Sequence, residues 1–137
     1  LIDHAGNDRY LANWGVAIAC ARDHSSAALV DMEGNDSYSA RLYGVAWGNS
    51  GGAAFLLDVR GTDQYISRSA NIAVGRGSDS RQGVIPSLAV IIDDSGLDHY
   101  AANRREILNN SFSQNGDYGF VIDTVLGRVP RGSASKK

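Results

Sequence analysis

Leu29-Val30-Asp31-Met32-Glu33-Gly34-Asn35-Asp36-Ser37-Tyr38 is the stretch that decides the fold: two apolar residues, an aspartate, two variable residues and Gly-x-Asp-x-Tyr. The same pattern occupies residues 1–10, 56–65 and 91–100, and a fifth copy begins at Val121 and then decays. Successive copies start 28, 27, 35 and 30 residues apart. A pattern that returns at a nearly fixed period is typical of a solenoid, in which every repeat forms one coil.

Each copy contains short apolar runs without helical periodicity. The run that ends at the first aspartate, as in residues 27–30, is too short for a helix and favours a strand. A second short strand carries the tyrosine, and a third apolar segment follows, as in residues 43–47. We therefore predict an all-β fold, a parallel β-solenoid (β-helix) of about four to five coils with about 28 residues per coil.

The predicted solenoid domain spans residues 1–127, with units that start near residues 1, 29, 56, 91 and 121. Residues 128–137 contain no core residue after Pro130 and are predicted to form a flexible tail. A hydrophobic fraction of 43% and a charged fraction of 20% describe a folded globular chain. The net charge of −2, without a dense Lys/Arg patch, argues against nucleic acid as a partner, and no apolar run is long enough for a membrane span.

Two rows of aspartates result when the copies are stacked. The first aspartate row is Asp3, Asp31, Asp58, Asp93 and Asp123, and the second aspartate row is Asp8, Asp36, Asp63 and Asp98. Carboxylates stacked one coil apart repel one another unless they are compensated. Two solutions remain open: each aspartate accepts N–H groups of its own turn, or the rows bind a cation, for which Ca²⁺ is suited.

The glycines of the repeated turn are Gly6, Gly34, Gly61 and Gly96. Their fixed place, three residues after the aspartates of the first row, predicts a structural turn built by Asp3/Gly6, Asp31/Gly34, Asp58/Gly61 and Asp93/Gly96. We expect each of these glycines to have a positive φ angle.

The turn also carries a resemblance. Gly6-Asn7-Asp8-Arg9-Tyr10 and Gly34-Asn35-Asp36-Ser37-Tyr38 resemble the second half of the RTX nonapeptide, a family in which aspartates and glycine carbonyls hold Ca²⁺ in a parallel β-roll. The resemblance implies that Asp8, Asp36, Asp63 and Asp98 are calcium ligands. The whole repeat is also similar to Asp- and Gly-rich solenoid repeats of large bacterial proteins, which favours a secreted or cell-envelope location.

Two other features are candidates for ligand binding. The third unit is long, and its surplus residues form a predicted corner loop at residues 75–83, with Arg76, Asp79 and Arg81 as a candidate ligand loop. The tyrosine row Tyr10, Tyr38, Tyr65 and Tyr100 is interpreted as an aromatic ladder between coils. Trp14, Tyr43 and Trp47 fit core packing better than a carbohydrate-binding face, although carbohydrate stays a candidate partner.

The function predicted from these patterns is a non-catalytic scaffold or binding domain of a larger or oligomeric protein. One alternative is a carbohydrate-active β-helix enzyme, a lyase or hydrolase, but such enzymes need two acids in unlike surroundings. Another is a Ca²⁺-stabilised secretion or adhesion module. The strand at residues 1–3 presents an unpaired edge, so we expect another polypeptide to cover it, either an upstream part of the same protein or a second copy.

Overall fold

The computed structural model describes residues 1–14, 18–68, 72–75, 78–80, 83–102, 107–115 and 118–125. These residues form strands and turns without a helix, which confirms the predicted all-β class. The strands are β1 Ile2–Asp3, β2 Arg9–Ala12, β3 Cys20–Arg22, β4 Ser26–Asp31, β5 Ser37–Ala40, β6 Trp47–Asn49, β7 Ala53–Asp58, β8 Gln64–Ser67, β9 Val74–Gly75, β10 Ser78–Ser80, β11 Gly83–Ile85, β12 Leu88–Asp94, β13 His99–Ala102, β14 Phe112–Asn115 and β15 Gly119–Thr124.

Three parallel sheets form the sides of the solenoid, which confirms the predicted coil with three strands. The first sheet has the order β1-β4-β7-β12-β15, the second β2-β5-β8-β13 and the third β3-β6-β9. The pairing keeps the sequence repeat in register, so that Asp31 lies between Asp3 and Asp58 on neighbouring strands. The described residues therefore make about four coils that rise by one strand spacing, about 4.8 Å, per repeat.

The interior of the solenoid is filled by one side of each strand. Leu29, Leu56 and Ile91 are almost fully buried, whereas Val30 is half-buried and Ile92 keeps 38% of its surface exposed. This alternation is what a strand requires, because neighbouring side chains point to opposite faces. The leucine row therefore packs inside, and the next apolar row faces outward.

The tyrosine ladder is present as predicted. Tyr10, Tyr38, Tyr65 and Tyr100 stack face to face with ring centroids 4.8–5.0 Å apart and interplanar angles of 2–12°. The spacing equals the rise per coil, so each ring covers the next. Tyr38 and Tyr65 have no exposed surface.

The prediction for the turn glycines is confirmed for Gly6 and Gly96, whose φ angles are 152° and 158°, and is wrong for the other two. Gly34 and Gly61 do not have a positive φ angle. A Cβ atom on Gly34 would instead overlap the carbonyl oxygen of Gly6 in the coil before, and one on Gly61 would overlap the carbonyl oxygen of Gly34. Glycine is required here because two backbones approach too closely for any side chain.

The third strands and the long unit also differ from the prediction. The strand expected over residues 43–47 is Trp47–Asn49, because Tyr43 and Ala46 have positive φ angles of 68° and 52° and turn the corner instead. Part of the loop expected at residues 75–83 is an antiparallel hairpin of β10 and β11, with Asp79 in β10. Arg76, Arg81 and the tail 128–137 lie outside the described residues.

The two ends of the solenoid are unlike. At the C-terminal end, β14 runs antiparallel to β15 and covers the first sheet, and Ile107 forms an antiparallel bridge to Tyr100 on the second. At the N-terminal end, β1, β2 and β3 are the outer strands of all three sheets, with no further strand beside them among the described residues.

Candidate metal centre: the two aspartate rows

The repeat brings the two aspartate rows together at one corner of the solenoid. Asp31 ends strand β4, and Asp36 follows five residues later in the turn that leads to β5. A side chain on the intervening Gly34 would overlap the Asp36 carboxylate as well as the Gly6 carbonyl, so the turn requires glycine. The same geometry recurs in the next two coils, where Asp58 meets Asp63 and Asp93 meets Asp98.

Hydrogen bonds from the tyrosine ladder hold the first aspartate row. Tyr10 Oη donates to Asp31 Oδ2 over 2.7 Å, and Tyr38 Oη donates to Asp58 Oδ2 over 2.7 Å. Tyr100 Oη donates to Asp123 Oδ2 over 2.9 Å. Each of these tyrosines reaches the aspartate of the following coil, so the ladder fixes one oxygen of each carboxylate.

Tyr65 is the exception in this arrangement. Its hydroxyl lies beside Asp93 and interacts with that carboxylate. The contact does not have the geometry of a complete hydrogen bond. Asp93 Oδ2 accepts a longer bond of 3.3 Å from Tyr100 instead.

Backbone N–H groups hold the second aspartate row. The N–H of Asp8 donates to Asp36 Oδ1 over 2.6 Å, and the N–H of Asp36 donates to Asp63 Oδ1 over 2.6 Å. The N–H of Asp63 donates to Asp98 Oδ1 over 2.9 Å. The bonds run between coils and not within one turn, so the local Asx-turn is not the solution for this row.

Each carboxylate of the three aspartate pairs keeps one buried oxygen without a hydrogen bond. These atoms are Oδ1 of Asp31, Asp58 and Asp93 and Oδ2 of Asp36, Asp63 and Asp98. All six side chains are at least nine-tenths buried, with 0–8% of their surface exposed. An unpaired polar atom away from water costs about 1–3 kcal/mol, and more when it is charged. Six of them in one corner are therefore costly unless a proton or a cation compensates the carboxylates.

The carboxylates form three triads, each with residues from two adjacent coils. The triads are Asp8/Asp31/Asp36, Asp36/Asp58/Asp63 and Asp63/Asp93/Asp98, and in each triad one oxygen per residue lies within 4.8 Å of the others. Ca²⁺–oxygen distances are about 2.3–2.6 Å, so two ligands of one ion are up to about 5 Å apart. Three such ions would bring six positive charges to seven carboxylates.

A backbone carbonyl lies next to each triad. A Cβ atom on Gly34 would overlap the carbonyl oxygen of Gly6 and would lie 2.6 Å from Asp36 Oδ2, so these two oxygens are neighbours. A Cβ atom on Gly61 would overlap the carbonyl oxygen of Gly34 and would lie 2.6 Å from Asp63 Oδ2. Carbonyl and carboxylate oxygens are the ligand types that Ca²⁺ prefers. The donor set of each triad therefore consists of oxygen alone.

Burial raises the pKa of these carboxyl groups. Loss of hydration is the main cause and lifts the pKa of Asp58 to about 7, that of Asp63 to about 8 and that of Asp93 to about 9. The charge of Asp98 contributes next for Asp93, and hydrogen bonds from Tyr38 and from the Asp36 backbone oppose the rise at Asp58 and Asp63. Without a cation, the rows therefore hold protons near neutral pH.

Asn109 ends the second aspartate row. Its Oδ1 accepts the N–H of Asp98 over 2.5 Å, which is the place an aspartate would take in another coil. Asp123 keeps an unpaired oxygen but belongs to none of the triads among the described residues. Residues 107–115, the C-terminal cap, thus end the row without adding a charge.

The predicted ligands Asp8, Asp36, Asp63 and Asp98 all lie in the triads. The sequence reasoning missed that Asp31, Asp58 and Asp93, interpreted there as turn residues, contribute a carboxylate to each triad. The constant five-residue spacing of the two rows was the available signal. Of the aromatic residues considered for carbohydrate, Trp47 is buried, and Trp14 and Tyr43 are 74% and 45% exposed.

The fold and the two buried rows define the chain as a parallel β-solenoid with an acidic corner. Comparisons with models of protein families, with curated proteins and with solved structures found no match. The RTX resemblance and a bacterial origin stay predictions. No helix in the described part of the chain is long and apolar enough to cross a membrane.

Proposed function

We propose that this chain is a non-catalytic scaffold whose coils are held together by three Ca²⁺ ions in the acidic corner. The observation that carries the proposal is a set of six buried carboxylate oxygens without a hydrogen bond, on residues that form three triads across adjacent coils. A cation in each triad would turn a repulsive stack into a bridge between two coils.

Calcium fits the triads better than other common ions. The donors are oxygen atoms only, which disfavours zinc and copper. Magnesium needs near-ideal octahedral geometry at about 2.0–2.1 Å and keeps several waters, whereas calcium tolerates irregular sets at about 2.3–2.6 Å. The triads are buried and their oxygens are spread over up to 4.8 Å, which favours the larger ion.

The surroundings of the aspartates support a structural role over the enzyme hypothesis. A glycosidase or lyase needs acids that reach the substrate and differ in environment. Asp31, Asp58 and Asp93 have no exposed surface, and the equivalent aspartates occupy nearly the same setting in successive coils. A substrate would have no access to them.

Location and partner follow from the same proposal. Extracellular calcium modules bind with dissociation constants of about 10⁻⁴–10⁻³ M, which suits a secreted or cell-envelope protein in contact with abundant calcium. The uncovered edges of β1, β2 and β3 are the surface through which the scaffold would join another polypeptide.

Calorimetry on Asp58→Asn tests the calcium bridge. At a pH above the native pKa of Asp58, which is about 7, the substitution removes one buried negative charge, so we expect a higher melting temperature than the parent in metal-free buffer and a lower one in calcium. A saturated site contributes about 2.7 kcal/mol at a hundredfold excess of ion over its dissociation constant. The control is Asp23→Asn, whose side chain is 69% exposed and lies outside the rows. A parent melting temperature unaffected by calcium would contradict the proposal.

A further inference from the structure

We propose that the N-terminal end of the solenoid binds one further parallel coil that carries its own Gly-x-Asp-x-Tyr turn, and that this coil completes a fourth calcium site with Asp3 and Asp8. The inference rests on the proposed function for its calcium part. The coil part stands on the geometry of the end alone.

The backbone at the N-terminal end has the geometry to form hydrogen bonds with a further parallel strand. Inside the solenoid, each coil receives inter-coil bonds in a fixed pattern: the N–H of Val30 donates to Leu1, and the N–H of Ser37 donates to Asp8. Asn35 N–H donates to the side chain of Asn7 in the same pattern. In the described part of the chain, no strand continues this hydrogen-bond pattern on the outer sides of β1, β2 and β3.

The apolar interior is also uncovered at this end. Leu1 keeps 71% of its surface exposed, whereas the equivalent Leu29 is buried. A cavity of about 400 Å³ opens between Leu1, Tyr10 and Cys20. The equivalent positions of the second coil, Leu29, Tyr38 and Trp47, are buried, so a coil placed before Leu1 would fill the cavity with its own leucine and tyrosine.

The acidic corner is incomplete at the same end. Every complete triad takes two carboxylates from one coil and the third from the second aspartate row of the coil before it. Asp3 and Asp8 are the two carboxylates of the first coil, and they are paired in register with Asp31 and with the turn of Asp36. The missing third ligand is an aspartate of a preceding Gly-x-Asp turn.

A second copy of this chain fits the end less well. The C-terminal end is closed by the antiparallel strand β14 and by Asn109, so head-to-tail stacking of copies is blocked. A head-to-head pair would bring antiparallel strands together and would place two Asp3/Asp8 pairs against each other. A parallel coil instead continues the established contacts between coils.

A copy of one coil of this chain can serve as the added coil in a test. Residues 29–55 lead directly into Leu56, which is the equivalent of Leu1, so a copy of residues 29–55 can be joined in front of Leu1 without a linker. In this extended chain, Asp36 of the added copy would meet Asp3 and Asp8. The matched control carries Asp36→Asn in the added copy only, so that it keeps the strands and the tyrosine and lacks the carboxylate.

We expect the extended chain to bind four Ca²⁺ ions by native mass spectrometry where the parent binds three, and to resist proteolysis within the added residues. The control extension should be equally protected and should bind three.

Rapid cleavage of the added residues in both extensions would overturn the coil proposal. Equal ion counts for the extension and its control would overturn the fourth site. A parent that binds no calcium while the extension is protected would refute the calcium function and leave the docking of the coil standing. A parent that light scattering shows to be a dimer through this end would assign the surface to a second copy and overturn the proposed occupant.

Discussion

Calcium should reverse the pH dependence of stability. In metal-free protein, burial raises the pKa of Asp58, Asp63 and Asp93 to about 7, 8 and 9. The ordinary pKa of a hydrated aspartate is 3.8. Between these values the native state keeps protons that the unfolded chain has released. Stability is therefore complete below the unfolded pKa and is lost as the pH rises through the native pKa values.

The magnitude follows from the number of retained protons. Each proton held only by the native state lowers the free energy of unfolding by about 1.4 kcal/mol per pH unit. One such proton removes about 4 kcal/mol between about pH 5 and pH 8, a large part of the 5–15 kcal/mol that stabilises a typical domain. With calcium bound, the sign changes, because the ion requires ionised carboxylates and its binding strengthens as the pH rises.

Urea unfolding followed by circular dichroism, at about pH 5, 6.5 and 8, measures both curves on metal-free and calcium-saturated protein. We expect the free energy of unfolding to fall with pH in the first and to rise with pH in the second. Two parallel curves would refute the reasoning, since they would mean that calcium does not compete with protons for the aspartate rows.

Three substitutions test the parts of the corner separately. Gly34→Ala should destabilise the fold by about 3 kcal/mol in urea unfolding, because its Cβ overlaps the Gly6 carbonyl; an unchanged midpoint would mean that the coils are not this close. Tyr38→Phe keeps the ring stack but leaves Asp58 Oδ2 without its donor, so we expect a loss of about 1–3 kcal/mol, whereas no loss would show that this bond is unimportant. Asn109→Asp places a carboxylate beside Asp98 in the cap and should make the melting temperature more sensitive to chelation; equal sensitivity would show that the cap cannot extend the row.

The sequence predicted the solenoid because each repeated residue has the same structural role in every coil. The apolar pair specifies the inner strand, and the tyrosine specifies the ladder. The participation of Asp31, Asp58 and Asp93 in the triads could not be read in the same way. The spacing to the second row is visible in the sequence, but the direction in which each carboxylate turns depends on the tyrosine of the preceding coil.

Other features depend on contacts that carry no periodic signal. Gly34 fits both a left-handed turn and a close approach of backbones, and only the position of the Gly6 carbonyl distinguishes them. Asn109 lies outside the repeat pattern, and its role appears only when its side chain is seen in the place of an aspartate. The strand at residues 47–49 was displaced from its predicted position because Ala46 adopts a left-handed conformation at the corner.

The most direct test of the central claim is the number of calcium ions bound by the parent chain, counted by native mass spectrometry at about neutral pH after removal and stepwise return of calcium. The three triads predict saturation at three ions per chain, at two in Asp58→Asn, because Asp58 belongs to one triad, and at three in Asp23→Asn. A folded chain that binds no calcium, or that binds it equally well after Asp58→Asn, would contradict the claim that the aspartate rows hold the coils together through cations.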